Sequence, residues 1–169
     1  MRIVKTIVWL LAVFAVGLLP ATAQSAPRSE ADQVRGQFRS INHRLLEMAK
    51  DFPDDKYDFK LKPEMRSFGE VLVHVASGNV YAAKAAHGEK VNWDELDPKN
   101  YKDKAAIVDM FQKAITDSEN AMKSLPDSAF AKSVDPWASV TEHSAEHYGL
   151  LVAYYRANGL VPPASRPQK

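Results

Sequence analysis

Two histidines, His143 and His147, lie four residues apart on one apolar stripe in the last third of the chain. Residues at this spacing share one face of an α-helix, with Cβ atoms roughly 5–6 Å apart, so both imidazoles can reach one metal ion. Burying two imidazole rings in a core would otherwise require hydrogen-bond partners for four nitrogens. The pair therefore indicates either a metal site or two core histidines that other polar groups satisfy.

A third histidine, His74, lies at the edge of the apolar face of an earlier predicted helix. With His143 and His147 it would form a three-histidine site that leaves coordination positions for water or substrate, as in catalytic zinc sites. Imidazole suits zinc, nickel, iron or copper, and we expect a divalent ion of this kind, with manganese as a further candidate. Spacing alone does not show that His74 faces the other two histidines.

Three residues near the histidines are candidate catalytic or supporting groups. Glu70 and Tyr81 lie one turn before and two turns after His74, and Glu146 directly precedes His147. A carboxylate can orient a ligating imidazole or accept a proton, and a tyrosine can donate one. Each residue also has a structural interpretation: Glu70 as a helix cap, Tyr81 as core packing and Glu146 as part of a solvated face.

Other catalytic classes lack the residues that they need. The chain contains no cysteine, which excludes thiol nucleophiles, thiolate ligands and redox-active pairs. Serine rather than glutamate follows His143, so the zincin protease motif is absent, and no strand–elbow motif supports a serine hydrolase. The Glu-x-x-His motif of di-iron bundles is also missing, because no histidine lies three residues after Glu70, Glu142 or Glu146.

Sequence signals place the three histidines on two helices. A capping-box pattern at Ser67 opens a helix that carries His74 and runs to about Ala86. Asp135 as N-cap, followed by proline, opens the helix that carries the His-x-x-x-His pair and runs to Asn158, before a glycine. The apolar stripe predicted for this last helix consists of Val140, His143, His147, Leu150, Tyr154 and Ala157.

Two further amphipathic helices, about 30–50 and 103–124, are predicted from apolar residues at steps of three and four. The connector 51–65 carries alternating aromatic and aliphatic residues, which should hold it against the helices. Segment 88–102 should cover one end of the bundle. Residues 127–134 are predicted to form a loop. Four apolar stripes predict an all-α four-helix bundle, with connections long enough for a crossover topology.

Gly78 interrupts the interior of the helix that carries His74, where glycine costs about 1 kcal/mol relative to alanine. This position predicts either the close approach of another element or ligand, or tight helix packing. The two remaining histidines are not expected to join the site. His43 lies on the polar side of its helix, and His87 lies at a helix end away from the His74 face.

The N-terminus has the layout of a secretory signal peptide. Two basic residues precede the apolar run from Ile7 to Leu19, and Ala21-Thr22-Ala23 offers a small-x-small cleavage site. The apolar run is shorter than the roughly 20 residues of a spanning helix, so cleavage is favoured over a retained anchor. We therefore expect cleavage of residues 1–23, one domain over residues 24–169, and a periplasmic or secreted protein without a membrane span.

The expected mature chain has nearly balanced charge. Two of the 22 basic residues lie in the first 23 positions, so 20 basic and 21 acidic residues remain, a formal charge of −1. A chain without a basic run gives no electrostatic reason to expect binding to nucleic acid or anionic membranes. Its length suits one domain with a sizeable core.

Two blocks of the chain resemble the DinB-like superfamily of damage-inducible proteins. They are residues 63–76, PEMRSFGEVLVHVA, and residues 142–163, EHSAEHYGLLVAYYRANGLVPP. The resemblance implies a four-helix bundle with one histidine on the second helix and a His-x-x-x-His motif on the last, which here are His74, His143 and His147. It also implies a divalent metal on this triad and, frequently, a homodimer.

The resemblance says less about the reaction. Some relatives are metal-dependent thiol-S-transferases or isomerases that use low-molecular-weight thiols, but an exported chain without an obvious basic cluster near the triad does not favour thiol chemistry. The predicted function is that of an exported metal-dependent hydrolase or transferase acting on a small molecule. The alternatives are a non-catalytic envelope protein that binds a metal or small ligand, and a structural bundle with a vestigial triad. An open metal position would favour the enzyme, and a fourth protein ligand would favour the alternatives.

Overall fold

The computed structural model describes residues 28–167. This range contains five α-helices, three short 3₁₀ helices and no strand, which confirms the all-α prediction for it. The predicted signal peptide, residues 1–23, lies outside the described residues. The helices are α1 (Glu30–Asp51), α2 (Phe68–Ala86), α3 (Lys104–Ser124), α4 (Asp127–Lys132) and α5 (Trp137–Ala157).

The four long helices enclose two clusters of buried residues. Helix α2 packs between α3 and α5, and α1 contacts the same two helices from the other side, so α1 and α2 are diagonal neighbours. At one end of the core, Phe52 and Phe68 stack with ring centroids 3.8 Å apart, and Tyr155 packs against both rings. None of the helices in the described range is long and apolar enough to cross a membrane.

A polar network inside the core joins three helices. Asn42 on α1, Asn79 on α2 and Ser118 on α3 are completely buried. The Asn79 amide donates to Asn42 Oδ1 at 3.0 Å, and the Ser118 hydroxyl donates to Asn79 Oδ1 at 3.0 Å. Because buried polar groups are costly when unpaired, this chain of hydrogen bonds favours one arrangement of the three helices.

Helix α2 begins where the capping pattern predicts. The Glu70 amide donates to the Ser67 hydroxyl at 3.2 Å, and the Ser67 amide donates to the Glu70 carboxylate at 2.6 Å, so both halves of the capping box are formed. The capping box therefore defines the start of the helix that carries His74.

Helix α5 begins differently from the prediction. It starts at Trp137 after Pro136, and no side chain caps it. The Asp135 carboxylate accepts a hydrogen bond from the Ser139 hydroxyl at 2.8 Å instead of from the backbone, so the predicted N-cap is wrong. Ala157, predicted as part of the buried stripe, is exposed, because the aromatic side chain of Tyr155 fills the core at this end.

The predicted loop after α3 is also wrong, because six of its residues form α4. Phe130 on this short helix is buried, and the Arg35 guanidinium lies 4.6 Å from the centre of its ring. Arg35 also donates to Asp127 at 2.6 Å and to the Leu125 carbonyl at 2.9 Å. These contacts with α1 stabilise a helix too short to show a periodic pattern.

Two connections hold side chains against the bundle. In the first, residues 52–67, Tyr57 is buried and Phe59 and Leu61 pack against the core, as predicted. In the second, residues 87–103, the Leu96 amide donates to the Ser77 hydroxyl on α2 at 2.9 Å. The second connection therefore lies against α2, on the helix that carries His74.

Candidate metal centre

Helices α2 and α5 bring His74, His143 and His147 together. One ring nitrogen from each residue lies within 4.8 Å of the corresponding nitrogens of the other two. Nε2 of His74 and Nε2 of His143 are 3.0 Å apart, although 69 positions separate the residues in the chain. Nitrogens of a tetrahedral site with bonds of about 2.0–2.1 Å are about 3.3 Å apart, so small side-chain rotations would bring these rings around one ion.

The three imidazoles are held in their neutral form. Burial lowers the pKa of each ring, and that of His143 falls to about 4 because the neighbouring His147 and His74 and the positive charge of Arg66 add to the effect of burial. The negative charge of Glu95 opposes these effects at His143 without cancelling them. Neutral rings have the free lone pair that a metal ligand requires.

The unpaired nitrogens at this site fit a bound cation. Nδ1 of His143 and Nδ1 of His74 are buried and make no hydrogen bond of regular geometry within residues 28–167. Only one proton can be shared between the two facing Nε2 atoms. Hydrogen bonds within the cluster therefore cannot satisfy all the ring nitrogens of His74 and His143. Protons on Nδ1 would leave the Nε2 lone pairs of His74 and His143 directed at one ion, which is the arrangement of three-histidine metal sites.

No carboxylate from the described part of the chain joins the three nitrogens, so the ligand set leaves positions open. Two surface hollows lie beside it. One of about 220 Å³ is lined by His74, and another of about 440 Å³ is lined by His147. Residues 64–66 line both hollows, and Val71 and Leu150 give the larger one an apolar wall. A small molecule therefore has space next to the ligands.

The connection after α2 contributes two residues that the sequence analysis did not identify. Glu95 Oε1 lies 3.0 Å from His74 Nδ1, and Nη2 of Arg66 donates to both Glu95 oxygens at 3.1 Å. The Trp93 ring packs edge-on against the His143 ring, with centroids 4.8 Å apart. Neither residue lies in a periodic pattern or a motif. The one sequence feature that indicated a contact here was Gly78 on α2, which predicts the close approach of another element.

Gly78 admits Trp93 to the site. A Cβ atom at this position would lie 2.7 Å from Cζ2 of Trp93, which is closer than side chains normally pack. Of the two predictions for this glycine, the close approach of another element is therefore confirmed.

The three predicted supporting residues lie outside the histidine cluster. The Glu70 carboxylate caps α2 and pairs with Lys60 at 3.3 Å, and its hydrogen bond from the Ser67 amide lowers its pKa. It does line the smaller hollow together with His74. Tyr81 stacks on Trp93 with centroids 5.2 Å apart, and Glu146 is exposed on α5.

The two other histidines lie outside the cluster, as predicted. His43 on α1 is exposed, as predicted for the polar side of its helix, and His87 is exposed after the end of α2. They provide natural controls for substitutions in the triad.

A comparison with known protein families identifies the family of this chain. A sequence profile described as the DinB superfamily matches residues 37–155, which is 119 of the 169 residues. The matched region runs from within α1 to near the end of α5 and contains all three histidines. Comparison with individual curated proteins gives no match. The resemblance inferred from the two sequence blocks is confirmed, and the chain belongs to the DinB superfamily.

Proposed function

We propose that this protein binds one divalent metal ion through His74, His143 and His147 and acts as a metal-dependent hydrolase or transferase on a small molecule. The observation that carries the proposal is the convergence of three neutral imidazoles, with no fourth ligand from residues 28–167. A divalent ion held in this way supplies Lewis-acid chemistry to a molecule at its open positions. The ion itself is zinc, nickel, iron or manganese.

The residues around the triad would bind and orient the substrate. Val71 and Leu150 offer apolar contacts in the larger hollow, and Arg66 lines both hollows with a positive charge. Trp93 packs edge-on against His143 and would keep water from that side of the ring. Of the three predicted supporting residues, Glu70 lines the smaller hollow beside His74. It would act there only if its carboxylate gave up the hydrogen bond from the Ser67 amide that caps α2.

A second candidate function is metal or small-ligand binding without turnover. The observation that favours it is the engagement of the predicted acid–base residues in structural contacts: Glu70 in the capping box and Tyr81 in a stack on Trp93. Catalysis by proton transfer needs a group within hydrogen-bond reach of the substrate. A protein of this kind would hold its ligand in the cell envelope.

We further propose that the chain is exported, with cleavage before Gln24, and that it forms a homodimer. The signal-peptide layout supports export, and the lack of cysteine suits a chain that folds in either redox environment. The dimer rests on the family alone. Mass spectrometry of the mature polypeptide tests the cleavage. Light scattering, which gives the mass of the protein in solution, tests the homodimer.

The experiment that separates enzyme from binding protein is a metal-reconstitution screen. Metal-free protein is loaded separately with zinc, nickel, iron or manganese. Each form is tested with ester, amide and phosphoester substrates, and with a low-molecular-weight thiol together with an electrophilic acceptor. The enzyme proposal expects turnover with at least one ion, lost in a His143→Ala/His147→Ala variant and kept in His43→Ala/His87→Ala. Stoichiometric metal binding without turnover in any class would favour the binding protein.

A further inference from the structure

We propose that Glu95 is a positioning residue of this metal centre, which fixes His74 with its proton on Nδ1 so that Nε2 is free for the metal. The metal-affinity part of this inference rests on the proposed function. The part that concerns the protonation of the ring does not, because it holds in the metal-free protein.

The orientation of the His74 ring is the first observation. Its Nε2 faces Nε2 of His143 at 3.0 Å, so this edge of the ring belongs to the cluster. Its Nδ1 lies 3.0 Å from Glu95 Oε1. The distance suits a hydrogen bond, but the carboxylate oxygen lies out of line with the Nδ1–H direction. The Glu95 side chain is 52% exposed, and a small rotation of its carboxylate against Arg66 would bring the oxygen into line with the N–H group.

The second observation is that another residue, Arg66, holds the Glu95 carboxylate. Nη2 of Arg66 donates to both carboxylate oxygens at 3.1 Å. The backbone of Arg66 is fixed in turn, because the Tyr154 hydroxyl on α5 donates to the Arg66 carbonyl. Tyr154 lies two turns after His147 on the same helix, so the helix that supplies two ligands also anchors the residue that holds Glu95.

The third observation is that the backbone on both sides of Glu95 is fixed to α2. Two residues before it, Trp93 packs onto Gly78 and stacks on Tyr81. One residue after it, the Leu96 amide donates to Ser77 on α2 at 2.9 Å. The chain therefore delivers this carboxylate to His74 from a segment held on either side, although the carboxylate itself is half exposed.

A fixed protonation pattern matters because a neutral imidazole has two tautomers. With the proton on Nε2, the ring would direct an N–H group at the metal position and could not bind until the proton moved. A carboxylate beside Nδ1 stabilises the proton there and raises the basicity of Nε2. Nδ1 of His143 is also unpaired within residues 28–167, but no carboxylate of the described chain pairs with that ring as Glu95 does with His74.

The geometry distinguishes this role from that of a fourth metal ligand. Glu95 lies on the Nδ1 side of the ring, opposite the cluster, and its carboxylate is not among the atoms that converge with the three nitrogens. It would therefore support the metal site without closing it.

The test compares Glu95→Ala and Glu95→Gln with Asp94→Asn, in which the exposed neighbouring carboxylate is neutralised. Zinc affinity is measured by competition with a chelator, and the tautomer of His74 by ¹⁵N NMR of the metal-free protein. We expect Glu95→Ala to lose about 10- to 100-fold in zinc affinity and to give a mixture of tautomers at His74. Glu95→Gln, whose amide oxygen still accepts a hydrogen bond from Nδ1–H, should keep the tautomer and lose less affinity, and Asp94→Asn should match the wild type.

Two results would overturn the inference: an unchanged His74 tautomer in Glu95→Ala, or zinc affinity equal to that of the wild type in this variant. If the wild type binds no zinc, the proposed function fails, but the tautomer measurement still decides the role of Glu95. If Glu95→Ala does not fold, Arg66→Gln removes the clamp on Glu95 and provides the same comparison. The inference then requires a shift towards mixed tautomers in Arg66→Gln, and a tautomer identical to that of the wild type would contradict it.

Discussion

At Gly78 the backbone of α2 comes so close to Trp93 that a single added methyl group would collide with the indole, at 2.7 Å, and would lie 3.5 Å from Nδ1 of His143. The glycine costs α2 about 1 kcal/mol relative to alanine. In return Trp93 packs edge-on against His143, one of the proposed ligands. A local loss of helix stability thus permits a contact at the site.

Gly78→Ala should displace Trp93 and weaken zinc binding. The added Cβ forces the indole away from α2, which removes the contact with His143 and exposes the ring to water. We expect a red shift of tryptophan fluorescence and a lower zinc affinity. The matched control is Gly36→Ala on α1, where a Cβ meets nothing within 4 Å and should stabilise the fold by up to about 1 kcal/mol. An unshifted emission together with a gain in stability at position 78 would contradict this reading of the glycine.

The pKa of His143 gives the metal-free protein an acid-sensitive step. Burial lowers this pKa to about 4, with His147, His74 and Arg66 acting in the same direction and Glu95 against it. In the unfolded chain the pKa is near 6.5. Between these values the unfolded state binds a proton that the folded state does not, so the free energy of unfolding should fall as the pH drops from about 6.5 to about 4.

Urea denaturation of the metal-free protein across this pH range measures the effect. His143→Gln removes one of the three buried imidazoles with lowered pKa and should reduce the dependence. A slope that is the same in His143→Gln as in the wild type would show that His143 does not titrate in this way.

The residues of the site differ in how far the sequence predicts them. His143 and His147 follow from their i, i+4 spacing on an apolar stripe, because helix geometry alone places them together. His74 needed the family resemblance, since its distance from α5 depends on helix packing. Glu95 and Trp93 lie in an irregular segment whose path is set by tertiary contacts with α2, and no local pattern encodes such contacts.

At the scale of elements, the capping box at the start of α2 sets where the His74 helix begins. Both of its hydrogen bonds are formed, and the same Glu70 carboxylate lines the hollow beside His74. Glu70 is thus either a cap alone or a cap that can be released to act in the hollow. The two roles make different predictions for substitutions.

Ser67→Ala and Glu70→Ala should each destabilise the fold by about 1 kcal/mol, because each removes one half of the capping box. Zinc content should be unchanged in both variants, since neither residue belongs to the ligand cluster. Chemical denaturation and metal analysis measure the two quantities. Loss of zinc or of turnover in Glu70→Ala, but not in Ser67→Ala, would assign Glu70 a function at the site beyond capping.

The long helices could be predicted because each combines an apolar period with a boundary signal. The capping box of α2 and the glycine after α5 are local in sequence, and Gly159 has the positive φ of 70° expected at a helix end. The short helix α4 could not be predicted, because it depends on the contact of Phe130 with Arg35 on α1. The predicted N-cap of α5 was wrong, because the Asp135 carboxylate accepts a hydrogen bond from the Ser139 hydroxyl rather than from a free backbone amide.

At the scale of the whole molecule, the proposed ligands join two helices that are far apart in sequence. His74 on α2 and the pair on α5 would be linked by one ion. An ion that binds only the folded chain stabilises it by about 2.7 kcal/mol at a free concentration of 100 times its Kd. Because the ligands are distant in sequence, this stabilisation applies to the bundle and not to one helix.

Added zinc should therefore raise the thermal midpoint of the metal-free wild type. The rise should increase with zinc concentration, and it should be absent from His143→Ala/His147→Ala. Scanning calorimetry at several zinc concentrations measures both. An equal rise in the double variant would mean that zinc binds elsewhere on the folded protein.

The most direct test of the metal centre is the metal content of the mature protein, purified without a histidine tag beside the His143→Ala/His147→Ala and His43→Ala/His87→Ala variants. The three-histidine site predicts close to one metal ion per chain in the wild type and in the variant of the exposed histidines. It predicts loss of that ion from the triad variant, which circular dichroism should show to be folded. A wild-type protein that stays free of metal even after incubation with zinc, nickel, iron and manganese would contradict the site and the catalytic function proposed for it.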